Sequence, residues 1–458
     1  MPNVIDRAFL GSFFHTPVYG DFEYLENALI EVDAGGTIVR VVRADDAEQA
    51  ALVSAYREAG ILTELGENRF GLPGFVDIHV HSSQWPQAAL ALDEPLYVWL
   101  DQRTFPLESK FANMDFARVV YQDLVEQLLA RGSTTVVYQG SAHLASSVEL
   151  ARICAEKGQR AMVGKTVMDD PASCPDYYRD ANPQVAIDET EVCIREVEAI
   201  GRASRAGVYP IVTPRFIPSC TDEAMLGLAR MADKYDVYVQ THCNEGQWEH
   251  DVVFERYGKT DPYALYDLGL LRRKSIMAHC PFVTEEEGAF MAEVGATVAH
   301  CPMANSYFSS SVAPIRRFRE QGIRVGLGTD ISGGYSPSMY ENIRQAVLIS
   351  RLLETGVNAQ VPEPQRGLGE ARLSLSQAFW LATKGGGECL DLAVGSFEPG
   401  YAFDLQVIDV KRRDGDLTGF GVFDSPADRL ARILYRSTQD NIRQVYVQGT
   451  LVRDKDAE

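Results

Sequence analysis

Pro73-Gly74-Phe75-Val76-Asp77-Ile78-His79-Val80-His81-Ser82-Ser83-Gln84 runs from a turn through a short apolar strand into two histidines. Positions 75–79 have the length and composition of a buried strand. On an extended chain, side chains two apart face the same way, so His79 and His81 can reach one ion. Imidazole is the commonest metal ligand near neutral pH and suits zinc, iron and nickel. A His-x-His pair arises often by chance, so its weight depends on what the other strands end in.

Downstream of this stretch the chain alternates strand and helix. Strand-like runs follow at 134–138, 161–167, 208–213, 237–241, 275–278, 297–299 and 324–328. A helix is predicted over 115–131, where Phe116, Val119, Val120, Leu124 and Leu128 recur at spacings of three and four, and Gly132 suits its end. A second is predicted over 222–235, with Thr221 as N-cap and Asp222 and Glu223 in its first turn. Eight strand candidates in parallel alternation predict an α/β fold, a TIM-like (β/α)8 barrel, which keeps its chemistry in the loops after the strands.

Such a barrel takes ~250 residues, and the chain has 458. The surplus reads as β-rich at both ends. Strands are predicted at 8–14, 28–32 and 37–42, with a turn at 33–36 and a helix at 46–58. Further strands are expected at 402–408, 445–447 and 450–452. The expected organisation is a small β-sandwich domain from 1–67 plus 391–458 and a barrel over 68–390. The segment 82–114 is long and aromatic-rich. Gly385-Gly386-Gly387 reads as a turn after a helix, because no P-loop Lys-Ser/Thr follows it.

Composition narrows the function classes. The apolar share of 46% and charged share of 23% are ordinary for a globular protein. A net charge of −21 with no basic patch argues against nucleic acid and anionic membrane as partners. The N-terminus reads as a strand, not a signal peptide, and no window approaches a transmembrane span. The eight cysteines are scattered without a Cys-x-x-Cys and read as reduced core thiols of a cytoplasmic protein.

The remaining histidines sharpen the picture. His242 closes the fifth predicted strand, His279 the sixth and His300 the seventh; Asp330 follows the eighth. Glu245, three residues beyond His242, offers a carboxylate beside a metal-activated water, as a proton shuttle requires. Asp330 can complete the metal shell with His79, His81 and His242 and accept the water's proton. His279 can ligate as well, or hydrogen-bond the attacking hydroxide. The catalytic set is thus Glu245, His279 and Asp330. His300 reads as structural, and His15, His143 and His250 fall outside the ligand set.

Taken together, these stretches resemble the amidohydrolase superfamily over nearly the whole chain. The supporting motifs include Ser83-Gln84 after His-x-His, Thr213-Pro214-Arg215-Phe216, Met277-Ala278-His279, His300-Cys301-Pro302 with Asn305, and Gly326-Leu327-Gly328-Thr329-Asp330. The Ser-Gln and Thr-Pro-Arg-Phe motifs are similar to those of the branch that acts on guanine. The resemblance implies one zinc per subunit, with iron as the other candidate, held by His79, His81, His242 and Asp330. The fourth predicted strand ends without the lysine that binuclear members carry. It also implies that Gln84, Arg215 and Phe216 hold a purine, with His242 and Glu245 touching it. Trp85 and the aromatic stretch 99–111 are expected to wall the pocket.

The activity implied is hydrolytic deamination of guanine to xanthine and ammonia by a zinc-activated hydroxide. Large barrels often pair, so a homodimer is expected. Glu245 would shuttle the proton while Asp330 and His279 orient the water. The alternatives are the same chemistry on a pterin, 8-oxoguanine or an aminotriazine, opening of a cyclic amide, and a catalytically silent scaffold of the same fold. Trp85-Pro86 and Cys243-Asn244 depart from the residues usual at those positions, which bears on specificity.

Overall fold

The computed structural model describes residues 4–412 and 415–457. Eight parallel strands build a barrel in chain order: Phe75–His81, Ser133–Gln139, Arg160–Gly164, Val208–Pro214, Tyr238–Cys243, Ser275–His279, Thr297–His300 and Arg324–Leu327. Each lies on a run that the sequence marks as strand. All seven residues of Phe75–His81 are buried, as expected of a parallel strand covered on both faces. The helix Met114–Leu129 sits where the spacing of apolar residues puts it. The helix Asp222–Tyr235 begins at Thr221, whose side chain accepts from the Ala224 N–H at 3.2 Å.

The barrel closes at its mouth through the first and eighth strands. The Asp330 N–H donates to the His79 carbonyl at 2.9 Å, and the His81 N–H to the Ile331 carbonyl at 2.9 Å. Buried Asp77 reinforces this seam. Its carboxylate accepts from the Thr329 N–H at 2.9 Å and from the Thr329 hydroxyl at 2.6 Å. Burial pushes the Asp77 carboxyl up to about 7 against these hydrogen bonds. Gly328 lets the two strands approach, since a Cβ there would meet the His79 Cβ at 2.7 Å. Thr329→Val keeps the shape and removes one donor. It is expected to lower stability by ~1–3 kcal/mol, the cost of a buried polar group left without its partner. Urea denaturation checks this, and an unchanged midpoint would remove the hydroxyl from the seam's energetics.

Two compact units emerge from the packing, one of residues 77–126 and 136–373, the other of 1–76, 127–135 and 374–458. The second contains an eight-stranded mixed sheet. Its order is Thr450–Asp454, Ile442–Val447, Leu405–Asp409, Arg69–Pro73, Ile5–Val18, Asp21–Asp33, Ile38–Val42, with Leu62–Glu64 beside Ile5–Val18. Phe9, Phe13, Phe397, Phe403 and Tyr446 form its core, with the Phe9 and Phe403 rings 4.3 Å apart. Both chain ends contribute strands, as the β-rich termini predict.

Gly385-Gly386-Gly387 corrects an expectation. It lies inside the helix Lys384–Cys389 rather than in a turn. Tight packing accounts for the glycines: a Cβ on Gly386 would sit 2.7 Å from that of Val76, and one on Gly385 would lie 2.3 Å from the Trp380 ring. No described helix is long and apolar enough to cross a membrane. All eight cysteines are buried free thiols.

Candidate active site

His79 and His81 end the first barrel strand, His242 lies in the fifth, and Asp330 follows the eighth. Strand direction brings all four to one mouth, where one donor atom from each lies within 4.8 Å of the others. His81 Nε2 and His242 Nε2 are 3.0 Å apart. Asp330 Oδ1 is 3.2 Å from both His79 Nε2 and His81 Nε2. The His79 nitrogen is close to that oxygen but not aligned for a hydrogen bond, so both His79 ring nitrogens are buried without a partner.

This donor set fits a cation. Burial and the neighbouring imidazoles hold His242 well below its ordinary value, and burial lowers His81 too, so both rings are neutral. The His242 Nδ1–H donates to the Arg215 carbonyl at 2.6 Å, which leaves the Nε2 lone pair facing the centre. His81 Nε2 lies 3.0 Å from that lone pair and 3.2 Å from Asp330 Oδ1, so three donor atoms converge on one point. Burial alone would raise Asp330, but the His79 and His81 imidazoles outweigh it and keep that carboxyl well below the carboxylate range. Three imidazoles and one carboxylate within 4.8 Å of one another suit one divalent metal with N and O ligands.

Glu245 and His279 stand beside this cluster. His279 Nδ1 faces Asn305 Oδ1 at 3.4 Å, so Nε2 points inward, 3.8 Å from Glu245 Oε2 and 4.0 Å from Asp330 Oδ2. Burial lowers His279 to about 4. Burial and the Asp330 charge push the Glu245 carboxyl up to about 8. His242, Glu245 and His279 also offer donor atoms within 4.8 Å of one another, so His279 can ligate a metal or orient its water.

A cavity opens over these groups. His81, His242, Glu245 and Asp330 form its polar floor, and Gln84 and Arg215 a second polar wall. Trp99, Leu100, Phe216 and Phe308 supply apolar surface. The aromatic-rich segment after the first strand is a chain of short helical pieces, among them Ser82–Gln87, Leu96–Trp99, Leu100–Thr104 and Phe105–Glu108. Trp99 and Leu100 reach the cavity from it. Trp85 does not line the cavity; its indole N–H donates to Asp123 at 2.6 Å. His300 is buried with Nδ1 unpartnered and stands outside both metal-competent groups. His15 belongs to the other unit, where its ring meets Ser396 and Glu23.

Glu108 is the residue that sequence reading missed. It is 1% exposed and accepts from Arg215 Nη1 at 2.7 Å and from Gln84 Nε2 at 3.0 Å. A carboxylate in an aromatic-rich insertion carries no spacing signal of its own; only the fold brings it to Arg215.

A parallel barrel with a His, His, His, Asp cluster at its mouth is the frame of a metal-dependent hydrolase. Residues 70–452 match the amidohydrolase family, and the chain belongs to that family. Within the family, similar chains are guanine deaminases. Those of Mus musculus and Homo sapiens are each 36% identical, over 97% of this chain and 96% of the relative. A crystal structure of guanine deaminase from C. acetobutylicum with bound guanine in the active site superposes with a TM-score of 0.86. It is 31% identical and covers 97% of this chain and 99% of that one.

Proposed function

We propose that this chain is a zinc-dependent guanine deaminase, converting guanine and water to xanthine and ammonia. The observation that carries the reading is the convergence, in one cavity, of the metal-competent cluster, a buried carboxyl with a raised pKa and the Gln84–Arg215 wall. The guanine deaminases at 36% identity over nearly the full chain support the substrate.

His79, His81, His242 and Asp330 would hold the zinc. Zinc so bound would supply hydroxide at neutral pH by lowering the pKa of water from ~15.7 to about 7. Asp330 Oδ2 and His279 Nε2, 4.0 Å apart, are placed to hold and orient that nucleophile from two sides. Burial pushes the Glu245 carboxyl up, which suits it to carry a proton to the ring nitrogen beside the amino-bearing carbon. That makes the carbon electrophilic. The proton that Asp330 or Glu245 takes from the water then goes to the amino group, which leaves as ammonia. Phe216 offers an apolar face to the flat ring, and Arg215 and Gln84 offer donors to its edge.

The test is ammonia release from guanine, with adenine, cytosine, a pterin, 8-oxoguanine and an aminotriazine as controls. Guanine is expected to be turned over fastest. A faster rate on any control would reassign the substrate. Metal analysis of the purified protein should find about one zinc per chain, following the four-ligand set.

A further inference from the structure

Glu108, Gln84 and Arg215 come from three separate places: the end of the helix Phe105–Glu108, the turn Ser82–Gln87, and the loop after the strand Val208–Pro214. All three are nearly fully buried, at 1%, 2% and 3% exposure. Glu108 does not line the cavity, whereas the other two do. Its carboxylate binds both. Oε2 accepts from Arg215 Nη1 at 2.7 Å; Oε1 accepts from Gln84 Nε2 at 3.0 Å and from Arg215 Nη2 at 3.4 Å.

Two consequences follow from the chemistry of these groups. A carboxylate only accepts, so it fixes the Gln84 amide with its NH2 inward, while Gln84 Oε1 faces the Ser332 N–H at 3.4 Å. That leaves the second amide N–H as the donor that Gln84, a lining residue of the cavity, can offer a ligand. Arg215 keeps further N–H groups for a ligand after the two given to Glu108. The second consequence is charge. A bare guanidinium at a desolvated wall would favour an anionic ligand; paired bidentately with Glu108 it presents donors without net charge. Burial alone would raise Glu108, but the Arg215 charge and its hydrogen bonds keep it below the usual carboxylate range, so the pair is ionised. Phe105 backs Arg215 from the other side, with Cζ 5.2 Å from the ring centroid.

We propose that Glu108 is the positioning residue that sets the specificity of this cavity: it holds Arg215 and Gln84 as a charge-balanced pair of donors for a ring carbonyl oxygen. The inference rests on the reading of the site as a deaminase of amino-heterocycles. It narrows the ligand class to neutral rings bearing such an oxygen, because a ring without it leaves two buried donors unpaired.

The experiment compares guanine with 2-aminopurine, which lacks the carbonyl oxygen and with it the N1 hydrogen, in the zinc-loaded full chain. Wild type is expected to favour guanine by roughly 10³-fold or more in kcat/KM, as sites built to hydrogen-bond a substrate group do. Glu108→Gln keeps the size but loses the charge and one of the two acceptor oxygens. Glu108→Asp keeps the charge but withdraws it by one methylene. In either, KM for guanine should rise with kcat little changed, and the preference should shrink at least ~10-fold as the donors lose their fixed aim. Zinc content should stay at the wild-type level. A folded, zinc-replete variant with an unchanged preference overturns the proposal, as does a fall in kcat alone. Calorimetric binding of the two purines gives the same ratio without turnover. A wild type that binds guanine selectively but releases no ammonia would sink the deaminase reading and leave the clamp standing.

Discussion

Glu245→Gln should keep its metal and lose ~10²- to 10⁴-fold in turnover, the usual worth of a positioned acid–base group. Glutamine has nearly the shape of glutamate, so the cavity floor is preserved, but it cannot deliver or collect a proton. Glu245 lies three residues beyond His242 and is 7% exposed. Burial raises its carboxyl above the usual carboxylate range, which suits it to carry the proton that the ring nitrogen needs. The measurement is kcat for ammonia release alongside zinc content. Near-wild-type turnover would remove Glu245 from the proton path; loss of zinc would instead make it a ligand.

His79→Ala should lose zinc, and activity with it. The ring of His79 has two buried nitrogens without hydrogen-bond partners, an arrangement that costs stability unless a ligand occupies it. The variant removes one of four donors that lie within 4.8 Å of one another. The affinity loss should exceed the roughly 10–100-fold that removal of an outer supporting contact costs. Metal analysis after dialysis reads this directly, and full occupancy in the variant would strike His79 from the ligand set. The two variants separate cleanly: one keeps metal without turnover, the other loses both.

The barrel was legible because its signals are local. Each strand is a short apolar run, and His79, His242, His279 and Asp330 fall at or just beyond strand ends, where a parallel barrel gathers its chemistry. The caps at Thr221 and the apolar spacing of 115–131 are local in the same sense. What escaped depends on contacts between distant segments. Glu108 matters through Arg215, 107 residues away. The glycine run at 385–387 looks like a turn until Val76 and Trp380 are seen against it. Trp85 is aromatic and adjacent to Gln84, yet a hydrogen bond to Asp123 turns it away from the cavity. Residue type and spacing show what a side chain can do; which partner it meets is decided by the closure of the fold.

That closure joins the ends of the barrel segment. The first strand brings His79 and His81, and the residues just after the eighth bring Asp330, some 250 positions later, with Asp330 and His79 bonded backbone to backbone. Pairing across so long a stretch of chain raises the contact order, which slows closure of the barrel. A chain emerging from the ribosome would expose two histidines long before their carboxylate partner exists. A metal held by His79, His81 and Asp330 would bridge this seam and act as a rivet against the barrel's reopening.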